Sequence, residues 1–191
     1  MAKIGLFFGS FNPIHIGHLI IANYMSSFSG LKEVWLVVSP HNPLKNKSSL
    51  SNMYDRLEMA RLATENSGHI KVSDIEFGLS QPSYTIDTLT YLSEKYPEKE
   101  FALIMGADNL ASFRKWKNYE VLLKNYDIYV YPRPGIDLSE WINHPSITLT
   151  DTPQMDISST FIRKGIAAGK NVQYFLPDTV IAFIDSKNMY R

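Results

Sequence analysis

Short apolar runs alternate along the chain with stretches of helical period. Lys3–Phe8 is a compact apolar run that reads as a buried strand, and Gly9–Pro13 follows as a glycine- and proline-marked turn. Ile16–Ser27 has the spacing of a helix, and Val34–Val38 is a second β-rich apolar run. Asn52 is placed to cap a helix over Met53–Asn66, where Leu57, Ala60 and Arg61 fall at helical spacing. Ile70–Ile75 reads as a strand, and Ile86–Tyr96 as a helix stopped by Pro97. Phe101–Met105 is a further buried strand, followed by a short helix near Ala107–Phe113. Ile128–Tyr131 is a strand halted by Pro132, and Ser158–Ala168 and Asp178–Asp185 are closing helices. The stretches Ser39–Ser51 and Pro132–Pro145 carry no regular pattern, and loops of that length in a compact domain are usually functional.

Strands separated by helices predict an α/β fold, a single Rossmann-like open and mostly parallel sheet with helices on both faces. In such a sheet, ligands sit at the carboxyl ends of the strands where chain order reverses. No repeat or linker-like tract divides residues 1–191, so one domain is expected. A chain of this size can bury about 70% of its unfolded surface.

Charge and composition then narrow the chemistry. Lys and Arg total 19 against 19 Asp and Glu, which discourages a protein whose task is coating nucleic acid or an anionic membrane. No cysteine is present, so disulfides, thiolate metal sites and cysteine nucleophiles are excluded. No signal-peptide pattern or membrane-length apolar run occurs, and the cytoplasm is the expected address. His41, His69 and His144 are scattered without ligand-like spacing, so no protein-built metal site is predicted. Met53, Met59 and Met105 read as packing residues.

The strongest chemical signal is Gly9-Ser10-Phe11-Asn12-Pro13-Ile14-His15-Ile16-Gly17-His18, at the junction of the first strand and first helix. Backbone amides of Gly9, Ser10 and Phe11 can donate to phosphate oxygens there, and Gly9 allows close approach of an anion. His15 and His18 have the spacing that shares a helix face, so two imidazoles can stabilise charge developing on one phosphate site. Near the other end, Ser158 or Ser159 can cap a helix whose amides face an anion, with Arg163 about one turn further on.

The first segment resembles the H-x-G-H signature of the nucleotidyltransferase superfamily, which class I aminoacyl-tRNA synthetases share. Ile157-Ser158-Ser159-Thr160-Phe161-Ile162-Arg163 resembles that superfamily's I-S-S-T-x-I-R signature. Pro82-Ser83-Tyr84-Thr85-Ile86-Asp87-Thr88-Leu89, Gly106-Ala107-Asp108-Asn109-Leu110, Trp116-Lys117, Arg133-Pro134-Gly135 and Leu176-Pro177-Asp178 narrow the likeness. Together they are similar to the bacterial nicotinate-mononucleotide adenylyltransferases, from Lys3 to Ile184. The chain departs from the family pattern at Phe8, where glycine is common, and at Asn12, where aspartate is common.

The resemblance implies adenylyl transfer from ATP to nicotinate mononucleotide, giving nicotinate adenine dinucleotide and pyrophosphate. It implies that His15, His18 and Arg163 are catalytic. Gly9, Ser10, Phe11, Gly106, Asp108, Ser158 and Ser159 would join them in holding ATP, with Asp108 on ribose hydroxyls. Trp116 would stack on the pyridine ring and Thr85, beside Tyr84, would hold the nicotinate carboxylate. Lys45 would meet a substrate phosphate, with Lys117 and Arg133 as further contacts. Mg²⁺ would be bound mainly through substrate phosphates. Partners would be small molecules, not nucleic acid or membrane, and a homo-oligomer is left open. Two alternatives stand beside this reading: another acceptor, nicotinamide mononucleotide or phosphopantetheine, and a non-catalytic nucleotide-binding or RNA-associated module.

Overall fold

The computed structural model describes residues 3–40 and 50–191. Six strands form one sheet: β1 (Lys3–Gly9), β2 (Glu33–Val38), β3 (Ile70–Ser73), β4 (Glu100–Gly106), β5 (Asp127–Tyr131) and β6 (Ile147–Leu149). Their order is β3-β2-β1-β4-β5-β6, and every pairing is parallel. A parallel sheet covered on both faces explains why its inner strands read as unbroken apolar runs rather than alternating ones. The chain starts in the middle of the sheet, runs outward through β2 and β3, then returns to lay β4 against the other side of β1. Chain order therefore reverses between β1 and β4, whose carboxyl ends are Gly9 and Gly106.

Seven α-helices occur among the described residues: α1 (Ile16–Phe28), α2 (Met53–Thr64), α3 (Thr85–Lys95), α4 (Ala107–Ala111), α5 (Tyr119–Asn125), α6 (Ser159–Ala167) and α7 (Asp178–Ser186). Alternate strand residues feed two cores. Phe7, Leu36 and Ile104 face α1, α2 and α7 through Met25, Leu57, Ala60 and Val180. Leu6, Val37 and Leu103 face α3, α4 and α5 through Leu89, Leu110 and Leu122. Each such fully buried leucine contributes roughly 1.5–3 kcal/mol relative to an exposed one.

Most predicted elements stand within a residue or two. Asn52 caps α2 through its side chain, which accepts from the Tyr54 N–H at 2.8 Å. Within α2, Leu57 and Ala60 are buried as their spacing predicts, but Arg61 is exposed and the buried arginine is Arg56. The strand expected over Ile70–Ile75 ends at Ser73, and a 3₁₀ turn, Ile75–Gly78, takes over. Helix α5 has no capping signal, since Asn118 starts it from a left-handed backbone (φ 53°) without a side-chain bond. Strand β6 has one buried residue, Ile147, too little to show a period. The patternless Pro132–Pro145 stretch returns Trp141 to the second core, 4% exposed.

Candidate active site

At the carboxyl ends of β1 and β4 lies a cavity of about 910 Å³, where fold topology places ligands in open α/β sheets. Gly9, Ser10, Phe11, Asn12, His15 and His18 form one wall of it. Phe11 holds an uncommon left-handed backbone (φ 45°) and is 2% exposed. Such a conformation costs free energy for a bulky residue and persists only where the surroundings impose it. Here the Phe7 and His18 rings meet Phe11 edge-on, at 5.9 and 5.1 Å between centroids. A Cβ on Gly9 would come within 2.7 Å of the Phe11 ring, so Gly9 makes room for this aromatic plug.

His15 does not share the helix with His18. It is the extended residue just ahead of α1 (φ −144°, ψ 170°), and His18 lies in the first helical turn. The pair nonetheless converges, the rings stacking at 3.7 Å with 23° between planes. The His15 N–H donates to His18 Nδ1 at 3.2 Å, so a neutral His18 carries its proton on Nε2. His15 is buried and its Nδ1 has no hydrogen-bond partner. Burial pulls its pKa down to about 4, with the Arg133 charge adding to the effect. Gly17 leaves room for that ring, since a Cβ there would lie 3.1 Å from His15 Nδ1.

The opposing wall is the start of α6. Ser158 caps it, its Oγ accepting from the Phe161 N–H at 3.2 Å. Ser159 Oγ donates to the Pro13 carbonyl at 2.9 Å, and Arg163 Nη1 donates to the Asn12 carbonyl at 2.8 Å. The two sequence signatures, at opposite ends of the chain, are thus tied backbone to side chain. Asn12 Oδ1 accepts from Ser51 Oγ at 2.7 Å and from the Tyr190 hydroxyl at 2.9 Å.

A third wall comes from α3 and the segment after α4. Tyr84, Thr85, Trp116 and Lys117 line the same cavity, with Thr85 the first residue of α3. Trp116 is half-buried against the second core, its ring 5.3 Å from that of Phe113, and its Nε1 has no partner. Lys117 pairs with Asp87 at 2.9 Å and lies over the Tyr84 ring at 4.7 Å. Asp108 does not cap α4; Gly106 holds that position. Asp108 also lines the cavity, facing Arg133 at 3.8 Å, and Arg133 in turn lies over the Tyr131 ring. Glu76 and Asp156 are further acidic lining residues. Lys45 lies outside the described residues.

The chain matches the cytidylyltransferase-like family over residues 6–165. It is 56% identical over 191 residues to a Flavobacterium johnsoniae protein named "Probable nicotinate-nucleotide adenylyltransferase", covering 99% of each chain. A Bacteroides fragilis protein of the same name is 49% identical over 178 residues, covering 93% of this chain and 89% of that one. The chain belongs to the nicotinate-nucleotide adenylyltransferase family. Its fold is shared with Plasmodium falciparum nicotinic acid mononucleotide adenylyltransferase complexed with NaAD. That likeness has a TM-score of 0.83 at 22% identity and covers 100% of this chain and 98% of that one.

Several residues that organise this adenylyltransferase site stand outside the sequence signatures. Arg56 is 1% exposed and donates to the carbonyls of Ser10 (2.6 Å), Ser39 (2.8 Å), Pro40 (2.9 Å) and Ser51 (3.1 Å). It gathers the ends of β1 and β2 and the start of α2 around one guanidinium. Burial lowers its pKa, but a guanidinium stays charged throughout the working range. Tyr190, at the far end of the chain, reaches Asn12 and Ser51. Glu76 is a buried carboxyl in a cavity wall. Helical phase could have singled out Arg56, which precedes Leu57 on the buried side of α2; nothing local marks Tyr190 or Glu76.

Proposed function

We propose that the cavity holds ATP against the β1–α1 turn and α6, holds nicotinate mononucleotide against α3 and Trp116, and transfers the adenylyl group between them. The observation that carries this reading is that one cavity joins all three walls. A nucleotide-binding module would need only the first two. Thr85 at a helix start offers backbone amides suited to a carboxylate, and Trp116 offers a flat apolar face for a planar ring.

In the reaction, a phosphate oxygen of the mononucleotide attacks the α-phosphorus of ATP in line. The new P–O bond forms as the bond to pyrophosphate breaks, and the electron pair leaves with pyrophosphate. The attacking oxygen is already anionic, so no general base is required. The protein's work is to bring two anions together and to offset charge on the departing group. His18 Nε2–H donates to phosphate oxygens, the Gly9–Phe11 backbone anchors them, and Arg163 neutralises charge from the α6 side. Lys45, Arg133 and Lys117 are assigned supporting contacts, and Asp108 the ribose hydroxyls.

Among the described residues no group of three or more His, Asp or Glu could hold a metal ion. Mg²⁺ would be bound mainly through the substrate phosphates and water, where it would supply charge neutralisation. No helix among the described residues is long and apolar enough to cross a membrane. The reading makes the chain one catalytic domain acting on small molecules in the cytoplasm.

Pyrophosphate release from ATP tests this directly, with nicotinate mononucleotide, nicotinamide mononucleotide or phosphopantetheine as acceptor. Release with the acid mononucleotide is expected. Release only with phosphopantetheine, or with none of the three, overturns the reading.

A further inference from the structure

Arg56 touches no substrate in the mechanism above, yet it is tied to the wall assigned to the phosphates. It lies in α2, is 1% exposed, and its Nη1 donates to the Ser10 carbonyl at 2.6 Å. The rest of the guanidinium is held by the carbonyls of Ser39, Pro40 and Ser51. Among the described residues no carboxylate forms an ion pair with it. Ser10 and Phe11 line the cavity and Arg56 does not, so the charge stands behind the wall. A buried cation without a counter-charge costs free energy, and a polyanion bound across that wall would supply the missing charge.

The Ser10 carbonyl belongs to the same peptide unit as the Phe11 N–H. That unit is trans, since the cis bonds among the described residues are Asn12–Pro13 and Gln81–Pro82. In a trans peptide the C=O and N–H point in opposite directions. With the carbonyl turned back to Arg56, the Phe11 N–H is turned the other way, to the side where Ser10 and Phe11 meet the cavity. No backbone carbonyl among the described residues accepts from that N–H, although Phe11 is 2% exposed. Buried backbone donors are nearly always paired, and a phosphate oxygen is the partner that completes this one. The direction is fixed in advance: Arg56 holds the peptide, the Phe7 and His18 rings hold the Phe11 ring, and the left-handed backbone at φ 45° joins the two. A cation donating to the carbonyl also polarises the peptide and strengthens its N–H as a donor.

We propose that Arg56 is a positioning residue for ATP, which from behind the cavity wall aims the Phe11 N–H at the phosphates and strengthens it as a donor. The inference rests on the adenylyl-transfer reading, which assigns the Gly9–Phe11 backbone to those phosphates. The mononucleotide wall, α3 and Trp116, makes no bond to Arg56, so the effect falls on one substrate.

The test measures KM for ATP and for nicotinate mononucleotide in wild type, Arg56→Lys and Arg56→Met. Arg56→Met keeps an apolar stem without charge or donor, and should raise KM for ATP at least about tenfold. KM for the mononucleotide should change less than about twofold. Arg56→Lys keeps the charge with fewer donors, so its KM for ATP should rise only about threefold. A second readout follows the Phe11 amide by NMR in protein carrying isotope-labelled phenylalanine, with α,β-methylene ATP as the probe. In wild type the amide proton should move downfield when the probe binds, and in Arg56→Lys it should move less. The wild-type spectrum and Arg56→Lys carry the test if Arg56→Met does not fold. Equal rises in both KM values, an unchanged KM for ATP in a folded variant, or a wild-type Phe11 amide that the probe leaves in place overturns the inference. Wild-type enzyme that releases no pyrophosphate with any acceptor would remove the underlying reading as well. An unmoved Phe11 amide in an active enzyme removes only the role of Arg56.

Discussion

The His15 N–H donates to Nδ1 of His18 at 3.2 Å while the two rings stack at 3.7 Å. One residue thereby fixes the other's tautomer and orientation before substrate arrives. His18 presents Nε2–H as a preorganised donor, and such donors are effective because they need no reorganisation during reaction. His18→Ala should therefore lower kcat by about 10²–10³, some 3–4 kcal/mol of transition-state stabilisation. Thermal melting should show the fold retained, and near-wild-type turnover in a steady-state assay would refute the assignment.

His15 makes stability depend on pH in a defined direction. Its ordinary pKa of 6.5 applies to the unfolded chain, and burial lowers the folded value to about 4. Between those values the unfolded chain binds more protons, so stability rises with pH across that window. The contribution is fully present above about 6.5 and is lost as pH falls to about 4. Its size is about 3 kcal/mol, at 1.36 kcal/mol for each tenfold change in proton affinity. Urea denaturation of wild type and His15→Gln from pH 4 to 7 should show this pH-dependent increment disappear in the variant. Parallel curves would count against it.

Arg56 should be a stability residue with a catalytic consequence. Arg56→Ala leaves buried carbonyls of Ser10, Ser39 and Pro40 without donors and opens a cavity between β1, β2 and α2. A loss of about 3 kcal/mol or more is expected, visible as a lower denaturation midpoint. Arg56→Lys can satisfy only part of the set and should fall between.

Tyr190 ties the segment after α7 to the β1–α1 turn through Asn12. Tyr190→Phe removes the hydroxyl that Asn12 Oδ1 accepts from, at a cost of about 1 kcal/mol in stability. If the bond positions the turn, KM for ATP should rise a few-fold while KM for the mononucleotide stays constant. An equal rise in both would point to general loosening.

Trp116→Ala should act on the opposite substrate. Loss of stacking on a heteroaromatic ring costs about 1–3 kcal/mol, so KM for the mononucleotide should rise roughly five- to 150-fold. KM for ATP should change less than about twofold. A variant that weakens ATP instead would relocate the mononucleotide to another wall.

Much of this protein is legible in local pattern. The strands are continuous apolar runs because a parallel sheet buries both faces, and helix α2 announces itself through its Asn52 cap. The Ser158 cap is visible because it depends on neighbours within a turn of chain, and the histidines are visible by their three-residue spacing, although His15 stands just ahead of α1 rather than on it. Weak local pattern hid α5, which lacks a capping bond, and β6, which buries only Ile147.

What tertiary structure alone decided is which distant residues meet. Arg56 joins carbonyls from two strand ends, Tyr190 reaches back to Asn12, and Arg163 reaches the same turn from α6. Glycine roles changed in the same way: Gly9 and Gly17 are small to admit the Phe11 and His15 rings, a constraint set by packing. Burial also moved two pKa values, lowering that of His15 and raising that of Glu76, since desolvation depends on what surrounds a group in space. Residue order determined the elements and the chemistry available to them. Packing determined the distances and dielectric surroundings on which that chemistry depends, because both come from parts of the chain far apart in sequence.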